Sequence, residues 1–108
     1  MIYPRFKLWL ETESGDFLLG EGTCLLLEEI EKSSSLSEAA RTCSISYAHA
    51  WKKIRKVESQ LGQKLVDKSR GGTGGGRSTL TEVGKNLTVK FRELEDKTRE
   101  SIETPEDI

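Results

Sequence analysis

The stretch S-L-S-E-A-A-R-T-C-S-I-S-Y-A-H-A-W-K-K-I, residues 35–54, decides the fold that this chain is predicted to adopt. Ser35, followed three residues later by Glu38, matches the capping-box pattern at the start of a helix. Ser46 is a second candidate N-cap, because a serine side chain accepts a hydrogen bond from a free amide of the first turn. Residues 43–45 lie between the two segments and are predicted as a turn. The stretch therefore predicts two short helices joined tightly, the helix-turn-helix arrangement.

A glycine-rich loop follows, R-G-G-T-G-G-G-R at residues 70–77. A predicted strand over 64–69 precedes it and residues 78–80 return as a partner, which indicates a β-hairpin with an arginine at each end of its tip. The loop differs by one residue from a phosphate-binding P-loop, with arginine in place of lysine. A P-loop, however, opens a helix, whereas here a strand follows. A basic hairpin after a helix-turn-helix is a wing, although a hairpin tip without function would have the same composition.

The remaining segments complete a single domain, the default for 108 residues. Residues 3–12 alternate in part between apolar and polar, and residues 17–19 are predicted as a return strand. Gly20 and Gly22 indicate a break before a helix over residues 23–32. The predicted fold class is α+β, mainly α: a winged helix-turn-helix with an N-terminal β-hairpin and a long C-terminal dimerisation helix. The predicted boundaries are the β-hairpin at 1–19, the winged-helix core at 22–80, the dimerisation helix at 81–103 and a fraying tail at 104–108.

Charge is distributed very unevenly along the chain. The net charge of −1 argues by itself against a nucleic-acid binder. Residues 34–78, however, hold nine lysines and arginines against three acids, a net charge of +6, and the remainder holds eight against fifteen, a net charge of −7. The positive charge thus falls on the predicted helix-turn-helix and wing, and such a local excess of bases is what phosphate binding requires.

The predicted helix over residues 47–61 has two opposite faces. At about 100° per residue, the apolar side chains cluster on one side, with Trp51 in the core, and the basic or polar ones lie within about 60° of His49. A basic stripe is often only a solvated helix face, but the preceding turn and the following wing favour DNA contact. Tyr47 is predicted to point inward, and both core packing and a hydroxyl contact to phosphate stay open for it.

Several classes of function are not expected. Cys24 and Cys43 are predicted to be free thiols, and a single histidine, His49, leaves too few ligands for a structural zinc site. We expect no metal, no cofactor and no catalytic constellation, and therefore no enzyme. The apolar runs are too short for a membrane span and the N-terminus has no signal peptide, so a cytoplasmic protein is expected.

The section from Gly22 to Leu94 resembles the DNA-binding domain of ModE-type regulators, the molybdate-responsive transcription factors of prokaryotes. The motifs that carry the resemblance are S-L-S-E-A-A at 35–40, S-Y-A-H-A-W at 46–51, L-V-D-K-S-R-G-G-T-G-G-G at 65–76 and L-T-E-V-G at 80–84. The first and last are also similar to the wider LysR-type winged-helix class.

This resemblance implies a sequence-specific, double-stranded-DNA-binding transcriptional regulator, dimerised through its long terminal helix. In full-length members it also implies C-terminal oxyanion-binding domains, which are not expected in a chain that ends at Ile108. Sensing through a separate effector-sensing protein and no sensing at all are both left open. The alternative function is a winged-helix protein-interaction module without DNA binding, which an acidic recognition face would have favoured.

Two sets of site residues follow. The predicted DNA-binding residues lie on the helix-turn-helix or the wing; they are Ser37, Ser46, Tyr47, His49, Lys52, Lys53, Lys56, Arg70, Thr73 and Arg77. Of these, Ser46, His49 and Lys53 are the candidates for contacts to base edges. The predicted interface of a homodimer shares the apolar stripe of the last helix; it consists of Leu87, Phe91, Leu94 and Ile102.

Overall fold

The computed structural model describes residues 1–69 and 76–108. Its elements are four helices and two antiparallel hairpins, which confirms the predicted α+β, mainly α fold class. In chain order they are β1 (Trp9–Glu11), β2 (Phe17–Gly20), α1 (Glu21–Ser33), α2 (Leu36–Thr42), α3 (Tyr47–Leu61), β3 (Val66–Ser69), β4 (Arg77–Leu80) and α4 (Glu82–Ile102).

The N-terminal hairpin is shorter than predicted, because residues 3–8 form no strand. Pro4 has no amide to donate to a sheet, and the segment instead borders a cleft against the C-terminal half of α4. The predicted break at Gly22 is also wrong. Gly20 is the extended N-cap residue of α1, and the helix already begins at Glu21.

The helix-turn-helix follows the predicted capping chemistry with one exception. Ser35 Oγ accepts a hydrogen bond from Glu38 N at 3.1 Å, and Ser46 Oγ accepts one from His49 N at 3.0 Å. The reciprocal half of the capping box does not form, because the Glu38 carboxylate pairs with Arg41 at 2.9 Å. In the turn, Ser44 adopts a left-handed conformation with φ of 58°.

The strands β3 and β4 pair in register, with Val66 opposite Leu80 and Ser69 opposite Arg77. Two contacts fix this hairpin to the helices. Ser78 N donates to the Ser34 carbonyl at 3.0 Å, next to the C-terminal end of α1. At the other end, the carboxylate of Glu58 accepts hydrogen bonds from Leu65 N at 2.8 Å and Val66 N at 3.3 Å.

The core lies among α1, α2, α3 and the first half of α4. The largest side chains that it encloses completely include Phe91, Leu19, Leu26, Leu27, Ile30, Ile54 and Leu65. Helix α4 joins the core by a close approach to the start of β3. Thr81 N donates to the Leu65 carbonyl at 2.9 Å and Thr81 Oγ1 to the Lys64 carbonyl at 2.7 Å.

Phe91 does not lie on the surface of α4 that is predicted as the dimer interface. Its side chain is 0 % exposed within a single chain, because it turns from α4 into the core. Leu87 packs at the edge of that core, Leu94 is half-buried, and Ile102 borders the cleft beside residues 4–8. The apolar residue that α4 exposes most is Val89, at 56 %.

The predicted fraying of the tail is wrong at one point. Ile2 and Glu106 exchange two backbone hydrogen bonds, at 2.8 and 2.9 Å. The two ends of the chain are thereby paired with each other. Across residues 1–69 and 76–108, no helix has both the length and the apolar character needed to cross a membrane.

Candidate nucleic-acid interface

The exposed face of α3 is the centre of the candidate interface. Its N-terminus is set by the Ser46 cap, and His49, Lys52 and Lys56 extend from it into solvent. The opposite face carries Ala50, Ile54 and Val57, which are buried, so the helix cannot rotate without exposing its core residues. The basic stripe is therefore fixed in direction by the packing behind it.

Three further predicted residues border this face. Ser37 is exposed on α2, and Ser46 is exposed although its Oγ already accepts the capping bond. That hydroxyl retains its O–H as a donor. Lys53 is half-buried, since its ammonium lies near the surface of α1, 3.8 Å from where a Cβ would stand on Gly22. Lys53 therefore has to extend away from α1 if it is to reach a base.

Tyr47, for which two placements were open, lies at the surface with 41 % exposure. Lys68 Nζ on β3 donates a hydrogen bond to its hydroxyl at 2.5 Å, which lowers the pKa of Tyr47 from its ordinary value. Trp51 is only partly buried and packs at the edge of the core. Lys68 and Arg55 lie over its ring at 5.6 and 5.1 Å from the centroid, within the range of cation–π contacts.

Of the two predicted wing arginines, Arg77 is among the residues that the structure describes. Arg77 is exposed at the start of β4, and its guanidinium donates to Ser34 Oγ at 3.3 Å. Arg70 and Thr73 lie outside the described residues. The structure thus brings Arg77 next to the end of α1 and the beginning of α2, on the side of the molecule from which α3 starts.

Two acidic side chains of α2 and α3 are engaged by partners within the fold. Glu58 points at β3 and Glu38 is paired with Arg41. At the contact between α1 and α4, Arg92 binds Glu28 at 2.6 Å, Glu95 at 3.1 Å and also Glu21. The hydrogen bonds to Glu28 and Glu21 hold the pKa of Arg92 above its ordinary value. Five acidic side chains, Glu21, Glu28, Glu38, Glu58 and Glu95, are thus engaged by partners within the fold.

Two basic residues of this surface were missed by sequence reasoning. The sequence pattern places Lys68 in a strand, and Arg55 lies outside the stripe centred on His49. A signal for Lys68 did exist: with a period of two, it shares a strand face with Val66, and that face looks toward the helices. No local sequence pattern predicts the role of Glu58, because its hydrogen-bond donors, Leu65 N and Val66 N, lie at the start of β3.

Metal-binding clusters and cysteine thiols would be the alternative functional groups of the described residues. Within the part of the chain that the structure describes, no group of three histidine, cysteine or acidic side chains is placed to hold a metal ion. Cys24 is completely buried, and this burial raises the pKa of its thiol to about 12. Burial also raises the pKa of the half-buried Cys43. Neither thiol is poised as a thiolate at neutral pH.

A capped tight turn, a helix with an exposed basic face and a following hairpin define a winged helix-turn-helix domain. A family model described as bacterial regulatory helix-turn-helix protein, lysR family, matches residues 24–85. The chain belongs to this family. Its predicted ModE-type character is confirmed by curated relatives.

The molybdenum transport protein ModE of Azotobacter vinelandii is 33 % identical over 97 residues, which are 88 % of this chain and 36 % of that protein. The DNA-binding transcriptional dual regulator ModE of Escherichia coli K12 is 39 % identical over 62 residues, which are 57 % of this chain and 24 % of that protein. The chain thus spans between about a quarter and just over a third of these relatives.

Solved structures support the fold. Vibrio fischeri DarR, in a complex with DNA, matches with a TM-score of 0.56 at 24 % identity, over 79 % of this chain and 28 % of that one. OxyR of Pseudomonas aeruginosa matches with a TM-score of 0.54 at 18 % identity, over 72 % of this chain and 25 % of that one. At these identities the likeness establishes the fold alone.

Proposed function

We propose that this domain binds double-stranded DNA in a sequence-specific manner and serves a transcriptional regulator. The observation that carries the proposal is the exposed basic face of α3, fixed in direction by the buried face behind it and preceded by a tight, capped turn. In this motif the second helix enters the major groove with its N-terminal residues foremost. Such a regulator is expected to act in the cytoplasm and to need no catalytic group.

The proposal divides the contacts into two kinds. Ser46 caps α3, His49 lies in its first turn and Lys53 in its second turn; these three residues are assigned to base edges. The remaining residues are assigned to phosphates, which give affinity for any sequence. They are Ser37, Tyr47, Lys52, Lys56, Arg70, Thr73 and Arg77.

A homodimer is the second part of the proposal, with α4 as the element shared between the two copies. Helix α4 has 21 residues and is therefore about 32 Å long at 1.5 Å per residue. Along this length, Phe91 is the apolar side chain that the domain buries completely. Val89 is exposed, and Leu87, Leu94 and Ile102 are half-buried, so an apolar surface is left for a partner copy. A two-fold dimer would bind a near-palindromic site with half-sites about one helical turn, or a multiple of it, apart.

The third part concerns the effector. The names of the relatives connect those proteins with molybdenum transport and DNA binding. We assign DNA binding to the residues described above, and any response to molybdate to a sensing unit outside them, such as a separate effector-sensing protein. Titration with molybdate is therefore expected to leave the DNA affinity of the 108-residue chain unchanged. A shift in affinity would place the oxyanion site within this chain.

The test of DNA binding starts with selection of bound sequences from random duplex DNA, followed by affinity measurements at several salt concentrations. A DNA-binding domain gives a selected consensus and a linear fall of log affinity with log salt. The alternative, a winged-helix module for protein contacts, gives neither.

Substitutions then test the assignment of roles. His49→Ala should cost roughly 1–3 kcal/mol on the selected site and much less on scrambled DNA, because base contacts discriminate and phosphate contacts do not. Lys64→Ala is the control, since Lys64 is exposed beyond the C-terminal end of α3. Equal losses on both DNAs for His49→Ala would remove it from the base-reading residues.

A further inference from the structure

The surface between α2, the start of α3 and the wing encloses a small polar cavity of about 340 Å³. Its lining combines serine hydroxyls, a phenol and one ammonium group. The residues are Ser35, Leu36, Ser37, Tyr47, Lys68, Gly76 and Ser78. A cation and several hydroxyl groups around an open space form a donor set that suits a phosphate oxygen.

Lys68 and Tyr47 hold each other in place across this cavity. The ammonium of Lys68 donates to the Tyr47 hydroxyl at 2.5 Å and lies 5.2 Å from the centroid of its ring. It also lies 5.6 Å from the ring centroid of Trp51. Two aromatic rings and one hydrogen bond thus restrict a lysine that is otherwise among the most flexible side chains.

The hydrogen-bonding capacity of the pair is only partly used. An ammonium has three N–H donors, and one of them goes to Tyr47; the tyrosine hydroxyl accepts that bond and keeps its own O–H to donate. The ion pairs among residues 1–69 and 76–108 do not include Lys68. Its positive charge is therefore available to an anion.

We propose that Lys68 and Tyr47 together form a phosphate clamp, which binds one backbone phosphate of the DNA and locks the wing strand β3 to the N-terminus of α3. The clamp rests on the proposed DNA-binding function. It adds Lys68 to the residues that contact DNA, and its ligand is the pair of non-bridging oxygens of one phosphate. Lys68 supplies the charge. Tyr47 supplies a second donor and fixes the position of the ammonium.

The attachment of the wing strands to the helices places Lys68 beside Tyr47. The β3 strand is tied to the end of α3 through Glu58, and β4 to the end of α1 through Ser78. Lys68 lies two residues farther along β3 than Val66, on the same face of the strand, and this brings it back to the opposite end of α3 at Tyr47. A phosphate bound there would contact the recognition helix and the wing at once.

The first measurement is the salt dependence of wild type, Lys68→Met and Tyr47→Phe on the selected duplex. Each phosphate contact by a cation contributes about 0.9 to the slope of log affinity against log salt. Lys68→Met should lower the slope by about that amount, so that a fourfold rise in salt weakens binding about 3.5-fold less than in wild type. Tyr47→Phe removes a neutral donor and should weaken binding without changing the slope.

Lys64→Met is the matched control, because it removes the same charge from an exposed lysine beyond the other end of α3, a helix about 22 Å long at 1.5 Å per residue. Its slope should stay close to that of wild type. Circular dichroism melting of all three variants checks that the fold is retained.

The second measurement locates the phosphate. Single phosphates of the duplex are replaced in turn by neutral methylphosphonates, and affinity is measured for wild type and Lys68→Met. Replacement of one particular phosphate should lower the affinity of wild type but leave the affinity of Lys68→Met unchanged. A clamp is contradicted if every phosphate matters equally to both proteins, or if Lys68→Met leaves the slope unchanged. Failure of wild type to bind any duplex would instead contradict the DNA-binding function itself.

Discussion

Replacing Gly84 by alanine should destabilise the domain, although alanine is normally the better helix former. Gly84 lies in the first turn of α4, where it is buried, and its amide donates to the Thr81 cap at 3.1 Å. A Cβ on this residue would stand 2.4 Å from the Leu65 carbonyl oxygen and 3.2 Å from its carbon. Both are backbone atoms that cannot rotate away, so the helix and the start of β3 would have to separate.

The magnitude follows from three opposing effects. Overpacking typically costs about 1–3 kcal/mol. Separation also weakens the hydrogen bond from Thr81 N to the Leu65 carbonyl, at 2.9 Å, which is worth about 1 kcal/mol. Alanine regains about 1 kcal/mol of helix propensity. The net loss is about 1–3 kcal/mol, on the order of 10 °C in melting temperature for a domain of this size.

Gly22 provides the matched control, because it is also a helical glycine. It is exposed in α1, and a Cβ there would meet only the ammonium of Lys53, at an ordinary 3.8 Å. Gly22→Ala should therefore stabilise the domain by roughly 0.5–1 kcal/mol. Urea denaturation of the two variants and wild type gives both free energies. A Gly84→Ala variant as stable as wild type would refute the close approach of α4 to β3.

Three further changes test the dimer, the wing and the core thiol. Leu94→Asp should place a charge in the proposed interface of α4 and yield monomers in sedimentation at micromolar concentration, and a monomeric wild type would contradict the dimer. Alanine at both Arg70 and Arg77 should lower the salt slope of DNA binding by up to about 2 without unfolding the domain, and an unchanged slope would mean that the wing arginines do not touch the backbone. Burial raises the pKa of Cys24 from 9.0 to about 12, so the unfolded chain releases this proton first and stability should fall as pH rises from about 9 to 12. Cys24→Ala should flatten that fall in urea denaturation, and an equal pH dependence in both proteins would place its cause elsewhere.

Sequence reasoning succeeded where the determining chemistry is local. The N-caps Ser35 and Ser46 each act within one helical turn, and the predicted helix over residues 47–61 has the bounds that α3 shows in the structure. Residues 3–8 have the alternation of a strand, but their neighbour is α4, which lies far away in sequence. Alternation alone cannot identify such a partner.

Non-local packing also explains the error at Phe91 and the omission of Lys68. The apolar stripe of α4 was read as one continuous surface, yet its middle residue belongs to the core of the same chain. A helical stripe gives the direction of a face but not what covers it. The period of the strand marks the face from which Lys68 extends, but its partner Tyr47 is defined only by the distance between β3 and the start of α3 in the assembled fold.

The net charge of −1 is compatible with DNA binding because bases exceed acids in the section that holds α2, α3 and the wing. At 0.1 M ionic strength a charge is screened over about 10 Å, whereas the longest dimension of the domain is 61 Å. A duplex at α3 and the wing would therefore experience mainly the section with a net charge of +6. The carboxylates of Glu21, Glu28 and Glu95 are moreover engaged by Arg92 at the contact between α1 and α4. What decides phosphate binding is thus the placement of charge within one screening length. Here α3 directs Lys52 and Lys56 into solvent, while three of the acids, Glu21, Glu28 and Glu95, stabilise the contact between α1 and α4 through Arg92.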